Sequence, residues 1–118
     1  MRAISLIGSI TLWCLVAACA EQLRSPDGEY QAVRTGSGGD LHYQVKDAAG
    51  RELFTTRSAW DTPNDVKAGS FSPDSKRFGA VYHFGHRGPE SYVVVYDVRT
   101  GNRVHEQWLA GWIYGVTW

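Results

Sequence analysis

Histidine has the widest chemistry of the residue types in this chain, because a neutral imidazole can bind a metal ion or accept a proton. The sequence contains four, His42, His83, His86 and His105. The spacing His-Phe-Gly-His of the middle pair matches no compact zinc pattern, and no cysteine stands near it. We therefore expect ordinary solvent-facing or turn histidines, with no metal site and no cofactor.

Serine and glycine occur together at Gly36-Ser37-Gly38-Gly39, a composition shared by nucleophile turns and phosphate-binding loops. A nucleophile elbow needs an apolar strand before the serine and a helix after it, and a P-loop needs a lysine and a helix. Neither context is present in this sequence. Since no pattern brings a serine, a histidine and an aspartate together, we predict that the protein is not an enzyme.

Aromatic side chains concentrate in one predicted connection and in the last two predicted strands. One interpretation is packing, because each ring buries a large area in a core. The other is a surface on which a sugar ring or an extended peptide stacks. The candidate ligand surface consists of Trp60, Trp108, Trp112 and Tyr114, with Trp118 nearby in the sequence.

The first eighteen residues have the form of a cleaved secretory signal. Met1-Arg2 is a short basic start, and residues 3–18 contain no charged residue. This run is shorter than the about 20 apolar residues of a membrane span, and small residues stand at its end. We therefore predict an N-terminal signal helix over residues 1–18.

The end of this signal, Leu15-Val16-Ala17-Ala18-Cys19, resembles the lipobox of bacterial lipoproteins. The resemblance implies that Cys19 is diacylated on sulfur, becomes the first residue after cleavage and receives a further acyl chain such as palmitate on nitrogen. Ala20 is not the aspartate that retains enteric lipoproteins in the inner membrane, so the resemblance implies the outer membrane, facing the periplasm. Two other interpretations stay open, an ordinary cleaved signal with an incidental cysteine and an uncleaved anchor helix.

Composition and charge describe the remaining hundred residues. Residues 19–118 carry eleven basic and twelve acidic side chains, a formal charge of −1, which does not indicate a nucleic-acid surface. Glycine and aromatic residues are frequent, and they favour turns and strands. With Cys14 removed and Cys19 acylated, no disulfide can form. We predict one all-β domain held together by packing or by association.

Alternating hydrophobicity predicts the strands. A polar tether spans residues 19–24, and the β domain spans residues 25–118. Residues 58–67 have no usable period and are expected to form a connection. Residues 91–97 are apolar on both faces, so other structure should cover both sides of that strand. The predicted strands are residues 29–35, 41–46, 52–57, 76–84, 91–97, 103–109 and 113–118.

An internal repeat organises this domain. Ser25-Pro26-Asp27-Gly28 recurs 47 positions later as Ser72-Pro73-Asp74-Ser75, and both begin a tight turn. Ala48-Ala49-Gly50-Arg51 is matched by Arg99-Thr100-Gly101-Asn102, 51 positions later. Ser75 departs from glycine where the backbone favours the left-handed region, so we expect a looser turn or one of another type there. The two repeats are residues 25–71 and 72–118.

Turn, strand, loop and apolar strand in this order resemble the blades of TolB-type and WD-repeat β-propellers. The resemblance covers residues 24–118 and implies two antiparallel four-stranded propeller-like blade units. Closed propellers have about four to eight blades, whereas this chain has two repeats. Three alternatives stay open: the last strand, 114–118, pairs beside the first hairpin at Arg24; copies of the chain assemble into a homo-oligomeric ring; or the chain is a remnant of a longer propeller.

These features together predict a membrane-anchored envelope lipoprotein whose small β domain is a non-catalytic binding module. Through the lipid on Cys19 it would contact the membrane, and its further partner would be an envelope protein or a glycan. TolB-type propellers are protein-interaction platforms in the periplasm, and the resemblance implies this role at the level of the fold alone. The alternatives are a remnant of a propeller-bearing hydrolase without its catalytic domain, and a sugar-binding oligomeric ring.

Overall fold

The structure, a computed structural model, describes residues 21–57, 65–85 and 88–118. In these ranges the prediction of an all-β domain with two antiparallel four-stranded sheets is confirmed, and no helix is present. The predicted signal helix lies outside the described residues. Sheet one has the strand order β1-β2-β3-β4 and sheet two has the order β5-β6-β7-β8. The strands are β1 (Gln22–Arg24), β2 (Tyr30–Thr35), β3 (His42–Asp47), β4 (Glu52–Thr55), β5 (Val66–Phe71), β6 (Arg77–Phe84), β7 (Glu90–Asp97) and β8 (Arg103–Ala110).

Three segments differ from the prediction. Strand β1 lies inside the predicted tether, and β5 begins inside the predicted connection and continues to Phe71. The strand predicted at residues 113–118 is wrong, as is its pairing beside Arg24, because that segment forms no strand and lies on sheet two. Local hydrophobic alternation is weak in β5, so its pairing with β6 decides its conformation.

Each sheet contains the same serine–aspartate hairpin turn. In sheet one, the hydroxyl of Ser25 donates to Oδ1 of Asp27 (2.8 Å) and accepts from the backbone N–H of Tyr30 (3.0 Å). Oδ1 of Asp27 also accepts from the N–H of Glu29 (2.9 Å). The same three bonds recur in sheet two at 2.6, 2.9 and 2.9 Å, formed by Ser72, Asp74, Arg77 and Lys76.

The expectation of a looser second turn at Ser75 is wrong. Ser75 has φ 64°, close to the 77° of Gly28, and each residue donates its N–H to the carbonyl of the turn serine at 2.9 Å. Serine at positive φ is unfavourable relative to glycine. The buried Ser75 hydroxyl offsets this cost, since it accepts a hydrogen bond from the N–H of Asp27.

The core lies between the two sheets. The rings of Tyr43 and Phe78 meet edge to face at 5.2 Å, and those of Phe54 and Tyr96 lie 5.3 Å apart. Gly69 allows this approach, because a Cβ there would stand 2.7 Å from the rings of Tyr43 and Phe78. On β6, the alternating residues Phe78, Ala80, Tyr82 and Phe84 lie in or against this core.

The outer faces of the two sheets differ in character. Sheet one turns Gln31, Gln44 and Lys46 away from the core, as the strand alternation with buried Ala32 and Val45 requires. On sheet two, Val81 and Val93 also point away from sheet one, yet both are buried. The predicted cover on both faces of β7 is therefore present at Ser91 and Val93, whereas Val95 is partly exposed. Residues 112–118 provide the second cover.

Candidate functional site

Residues 112–118, called here the C-terminal segment, cross the outer face of sheet two. The hydroxyl of Ser91 on β7 fixes its start, donating to the carbonyl of Gly111 (2.7 Å) and accepting from the N–H of Ile113 (2.9 Å). Ser91 is fully buried, so water does not compete for these bonds. Gly111 has φ 88° and donates its N–H to the carbonyl of Pro89 (2.7 Å). This turn directs the chain from β8 onto the outer face of sheet two.

His83 of β6 holds the next part of the segment. Its Nε2 lies 2.6 Å from the carbonyl oxygen of Ile113, and an Nε2–H tautomer donates this hydrogen bond. The imidazole lies 4.7 Å from the Trp112 ring and meets the Tyr114 ring edge to face at 5.1 Å. One side chain thereby organises both the backbone and two aromatic rings of the C-terminal segment.

Gly79 and Ser70 contact the end of the C-terminal segment. A Cβ on the buried Gly79 would stand 3.1 Å from side-chain atoms of Val116 and Trp118, so these two side chains pack directly on the β6 backbone. The indole N–H of Trp118 donates to the hydroxyl of Ser70 on β5 at 2.9 Å. The segment is therefore anchored on β7, β6 and β5.

The C-terminal segment and β5 are attached at corresponding positions of the repeat. Val66 and Ile113 are 47 positions apart. The N–H of Val66 donates to the carbonyl of Leu41 (2.9 Å), and its carbonyl accepts from the Arg34 guanidinium (2.9 Å). The N–H of Ile113 donates to a side chain, the Ser91 hydroxyl, and its carbonyl accepts from the side chain of His83. The C-terminal segment therefore has the same position against sheet two as β5 has against sheet one.

Aromatic rings of the segment remain exposed despite these anchors. Trp112 is 43% exposed, Tyr114 74% and Trp118 45%. These three side chains are called the C-terminal strip below. No charged residue occurs between Gln107 and Trp118. Among the described residues, the strongly exposed large hydrophobic side chains all belong to β8 or to this segment.

The candidate ligand surface predicted from the sequence is divided. Trp112 and Tyr114 lie together around His83, whereas Trp108 lies on the opposite face of sheet two, 4.8 Å from the ring of Tyr92 and 5.1 Å from that of Phe84. The Tyr92 hydroxyl donates to the Glu106 carboxylate. Burial and this bond raise the pKa of Tyr92. Trp60 lies outside the described residues.

The remaining candidate residues are dispersed. Nδ1 of His42 lies 3.0 Å from the carbonyl of Asp40, and Nε2 of the exposed His105 lies 3.3 Å from the side-chain oxygen of Gln107. Within the three described ranges, no group of three or more histidine, cysteine or acidic residues is placed to bind a metal ion. His86 and the proposed lipid-attachment residue Cys19 lie outside those ranges.

Sequence patterns did not identify the receiving residues Ser70, Gly79 and Ser91. Serine on a strand face carries little signal, and the role of Ser91 depends on a chain reversal 20 residues later. Gly79 did carry a signal, because an isolated glycine within a strand often marks a close backbone approach. What approaches it is visible only in the folded chain.

Comparison with known proteins finds no protein-family model and no curated protein that matches this chain. Across the part of the chain that the structure describes, no helix has the length and apolar character needed to cross a membrane.

Proposed function

We propose that the protein is a lipid-anchored component of the bacterial envelope whose β domain is a non-catalytic interaction module. The observation that carries the proposal is the C-terminal strip, three exposed aromatic rings on a segment without charge, held on a buried sheet face. Contiguous exposed apolar surface of this kind is typical of interaction sites, because it costs free energy when left in water. The anchored segment also presents the rings in one fixed arrangement, which lowers the entropy lost on binding.

The lipid anchor is proposed on Cys19, in the outer membrane and facing the periplasm. Support comes from the lipobox-like residues 15–19 and the preceding apolar run. Strand β1 begins at Gln22, three residues after Cys19, so at most about 10 Å of extended chain separates the anchor from sheet one. The β domain would therefore be held close to the membrane surface.

The two sheets are proposed to be propeller-like blade units. The support is the identical bonding of the two serine–aspartate turns, the matching strand order and the equivalent attachment of β5 and the C-terminal segment. In this proposal the C-terminal segment takes the place of the first strand of a further unit.

Two measurements test the proposal. Cys19→Ser should move the full-length protein from the membrane to the soluble fraction, and a variant that stays membrane-bound would count against the anchor. A photo-crosslinking amino acid in place of Tyr114 should form adducts in intact cells, whereas the same group in place of the exposed Glu29 should not. Equal adduct formation at the two positions would contradict an interaction role for the strip.

A sugar-binding role is the second candidate. It is favoured by the half-exposed Trp112 ring, which lies beside His83 and Tyr114 and could stack on a pyranose. Glycan-array binding that disappears in Trp112→Ala while the fold is retained would support this role over protein interaction.

A further inference from the structure

The first strands of the two sheets begin side by side at one end of the domain. The backbone N–H of Arg34 donates to the carbonyl of Glu21 (2.8 Å), and the guanidinium of the same residue donates to the carbonyl of Val66 (2.9 Å). Glu21 directly precedes β1, and Val66 is the first residue of β5. Arg34 thereby joins the two strand starts. This end of the domain is called the first-strand end below.

The C-terminal segment also begins at the first-strand end. Val66 pairs with Tyr82 on β6, and the next residue of that strand, His83, donates to the carbonyl of Ile113 (2.6 Å). Because stacked sheets lie about 10 Å apart, two such spacings place the start of the segment roughly 20 Å from the start of β1. The starts of β1, β5 and the segment therefore lie in a row.

Two of the three exposed rings lie at this end. Trp112 and Tyr114, 43% and 74% exposed, stand on either side of Ile113. Trp118 lies farther along the sheet, where its indole N–H donates to Ser70. Tryptophan and tyrosine are enriched at membrane–water interfaces, because each combines an apolar ring with a polar N–H or O–H group. The residue types at the first-strand end therefore suit a lipid surface.

The opposite end of the domain is charged. Neighbouring strands are antiparallel, so both serine–aspartate turns and both turns between third and fourth strands lie there. Each of these four turns exposes a charged side chain, namely Glu29, Arg51, Lys76 and Arg99. At the first-strand end, the exposed Asp40 and Arg57 are paired at 4.0 Å, and the chain from Gln107 to Trp118 has no charge. Contact of a bilayer with the first-strand end leaves the charged turns in water.

We propose that the first-strand end of the β domain contacts the lipid bilayer, with Trp112 and Tyr114 in the interfacial layer. This inference rests on the proposed lipid anchor and names the membrane surface as the partner of the two rings. Cys19 precedes Glu21 by two residues, at most about 7 Å of extended chain, so its acyl chains would enter the bilayer at this same end. Anchor and rings, roughly 20 Å apart, would together fix the orientation of the domain.

The rings are a second contact, not a replacement for the anchor. Stable membrane attachment takes more than one weak signal, and two half-buried rings bury far less apolar surface than several acyl chains. The release from the membrane that we expect for Cys19→Ser is therefore unchanged by this inference.

A fluorescent probe at position 114 tests the contact. The full-length, processed protein is reconstituted in vesicles of phosphatidylethanolamine and phosphatidylglycerol with part of the acyl chains brominated. Tyr114→Cys, labelled with a thiol-reactive nitrobenzoxadiazole, replaces an exposed side chain, so folding should be retained. Its emission should be blue-shifted and quenched by the bromine atoms. The same label on Ala49→Cys, in an exposed turn at the opposite end, should show neither effect. Equal quenching at the two positions would overturn the inference.

A second substitution separates insertion of the rings from simple nearness to the anchor. Trp112→Glu puts a carboxylate in place of one ring, and anionic phosphatidylglycerol repels it. Added to Tyr114→Cys, it should reduce the quenching to the level of Ala49→Cys in a sample whose circular dichroism matches that of the parent. Quenching that persists in such a sample would overturn insertion of the rings.

Two further outcomes distinguish this inference from the proposed function. The parent chain should not take the label, since its remaining thiol is acylated; labelling of the parent would overturn the lipid anchor and this inference with it. The photo-probe in place of Tyr114 should form adducts with lipid. Adducts with a protein and none with lipid would overturn the membrane contact, while leaving the proposed interaction module in place.

Discussion

The hydroxyl of Ser75 accepts a hydrogen bond from the backbone N–H of Asp27 at 3.0 Å, which ties the turn of sheet two to the turn of sheet one. The two residues are 48 positions apart. Ser75 is buried and has φ 64°, so a residue in an unfavourable backbone region is retained for a contact that glycine cannot make.

Replacing Ser75 separates the effect of its hydrogen bond from the cost of its backbone conformation. Ser75→Ala keeps the unfavourable backbone and leaves the Asp27 N–H without its partner, so it should lower the free energy of unfolding by about 1–2 kcal/mol. Ser75→Gly loses the same bond but relieves the backbone by about 0.5–1 kcal/mol, so its effect should be smaller. Urea unfolding followed by tryptophan fluorescence measures both. If Ser75→Gly is more stable than the parent, the tie between the turns is not the reason for serine.

Gly79 should not tolerate a larger side chain. Gly79→Val would push into Val116 and Trp118, already 3.1 Å from the position of a Cβ, at a cost of about 1–3 kcal/mol. We expect the C-terminal segment to detach, with faster proteolysis after Gly111 and a red-shifted tryptophan emission. Gly38→Val is the matched control, since Gly38 has no neighbour within 4 Å of that position. Similar protease sensitivity in the two variants would argue against the contact.

Ser91→Ala should loosen the start of the C-terminal segment. It leaves the carbonyl of Gly111 and the N–H of Ile113 unpaired at a buried site, which costs about 1–3 kcal/mol. Amide hydrogen exchange at Ile113 should accelerate, while exchange in β2 and β3 remains close to that of the parent. Ser37→Ala, in an exposed loop, should leave exchange at Ile113 unchanged. Parent-like protection of Ile113 in Ser91→Ala would show that the hydroxyl is dispensable.

Acid should destabilise the two serine–aspartate turns. The Glu29 N–H and then the Ser25 hydroxyl lower the pKa of Asp27, and the Ser72 hydroxyl and then the Lys76 N–H lower that of Asp74. Each folded-state pKa is below the unfolded value of about 3.9. The contribution to stability is thus present above the unfolded pKa and is lost as the pH falls through the folded pKa.

The measurement is the unfolding temperature from about pH 6 to about pH 2. Asp27→Asn combined with Asp74→Asn should reduce the fall of the unfolding temperature at low pH. The amide oxygen still accepts the turn hydrogen bonds but does not titrate. The parent chain, which keeps both turn aspartates, serves as the control. An unchanged slope in the double variant would mean that other carboxylates cause the acid dependence.

Sequence alone predicted the parts of this fold that depend on local chemistry. Proline, aspartate and glycine specify tight turns through their own backbone preferences, so Ser25-Pro26-Asp27-Gly28 and its repeat were identified. Alternating apolar residues placed six of the eight strands. Strand β7 is apolar on both faces, which indicated that other structure packs against each of them.

Only the tertiary structure decided which segments pack against the two faces of β7. Strand β5 was missed because its residues become a strand by pairing with β6, and residues 113–118 were misassigned because a strand-like pattern does not show whether a partner strand is present. The contacts of Ser75, Gly79 and Ser91 join residues 20 to 48 positions apart. Such contacts depend on how the sheets stack, and a repeat reveals that two units are alike without revealing which faces meet. The exposed strip follows from that stacking, since the same aromatic residues would be core if a further sheet covered them.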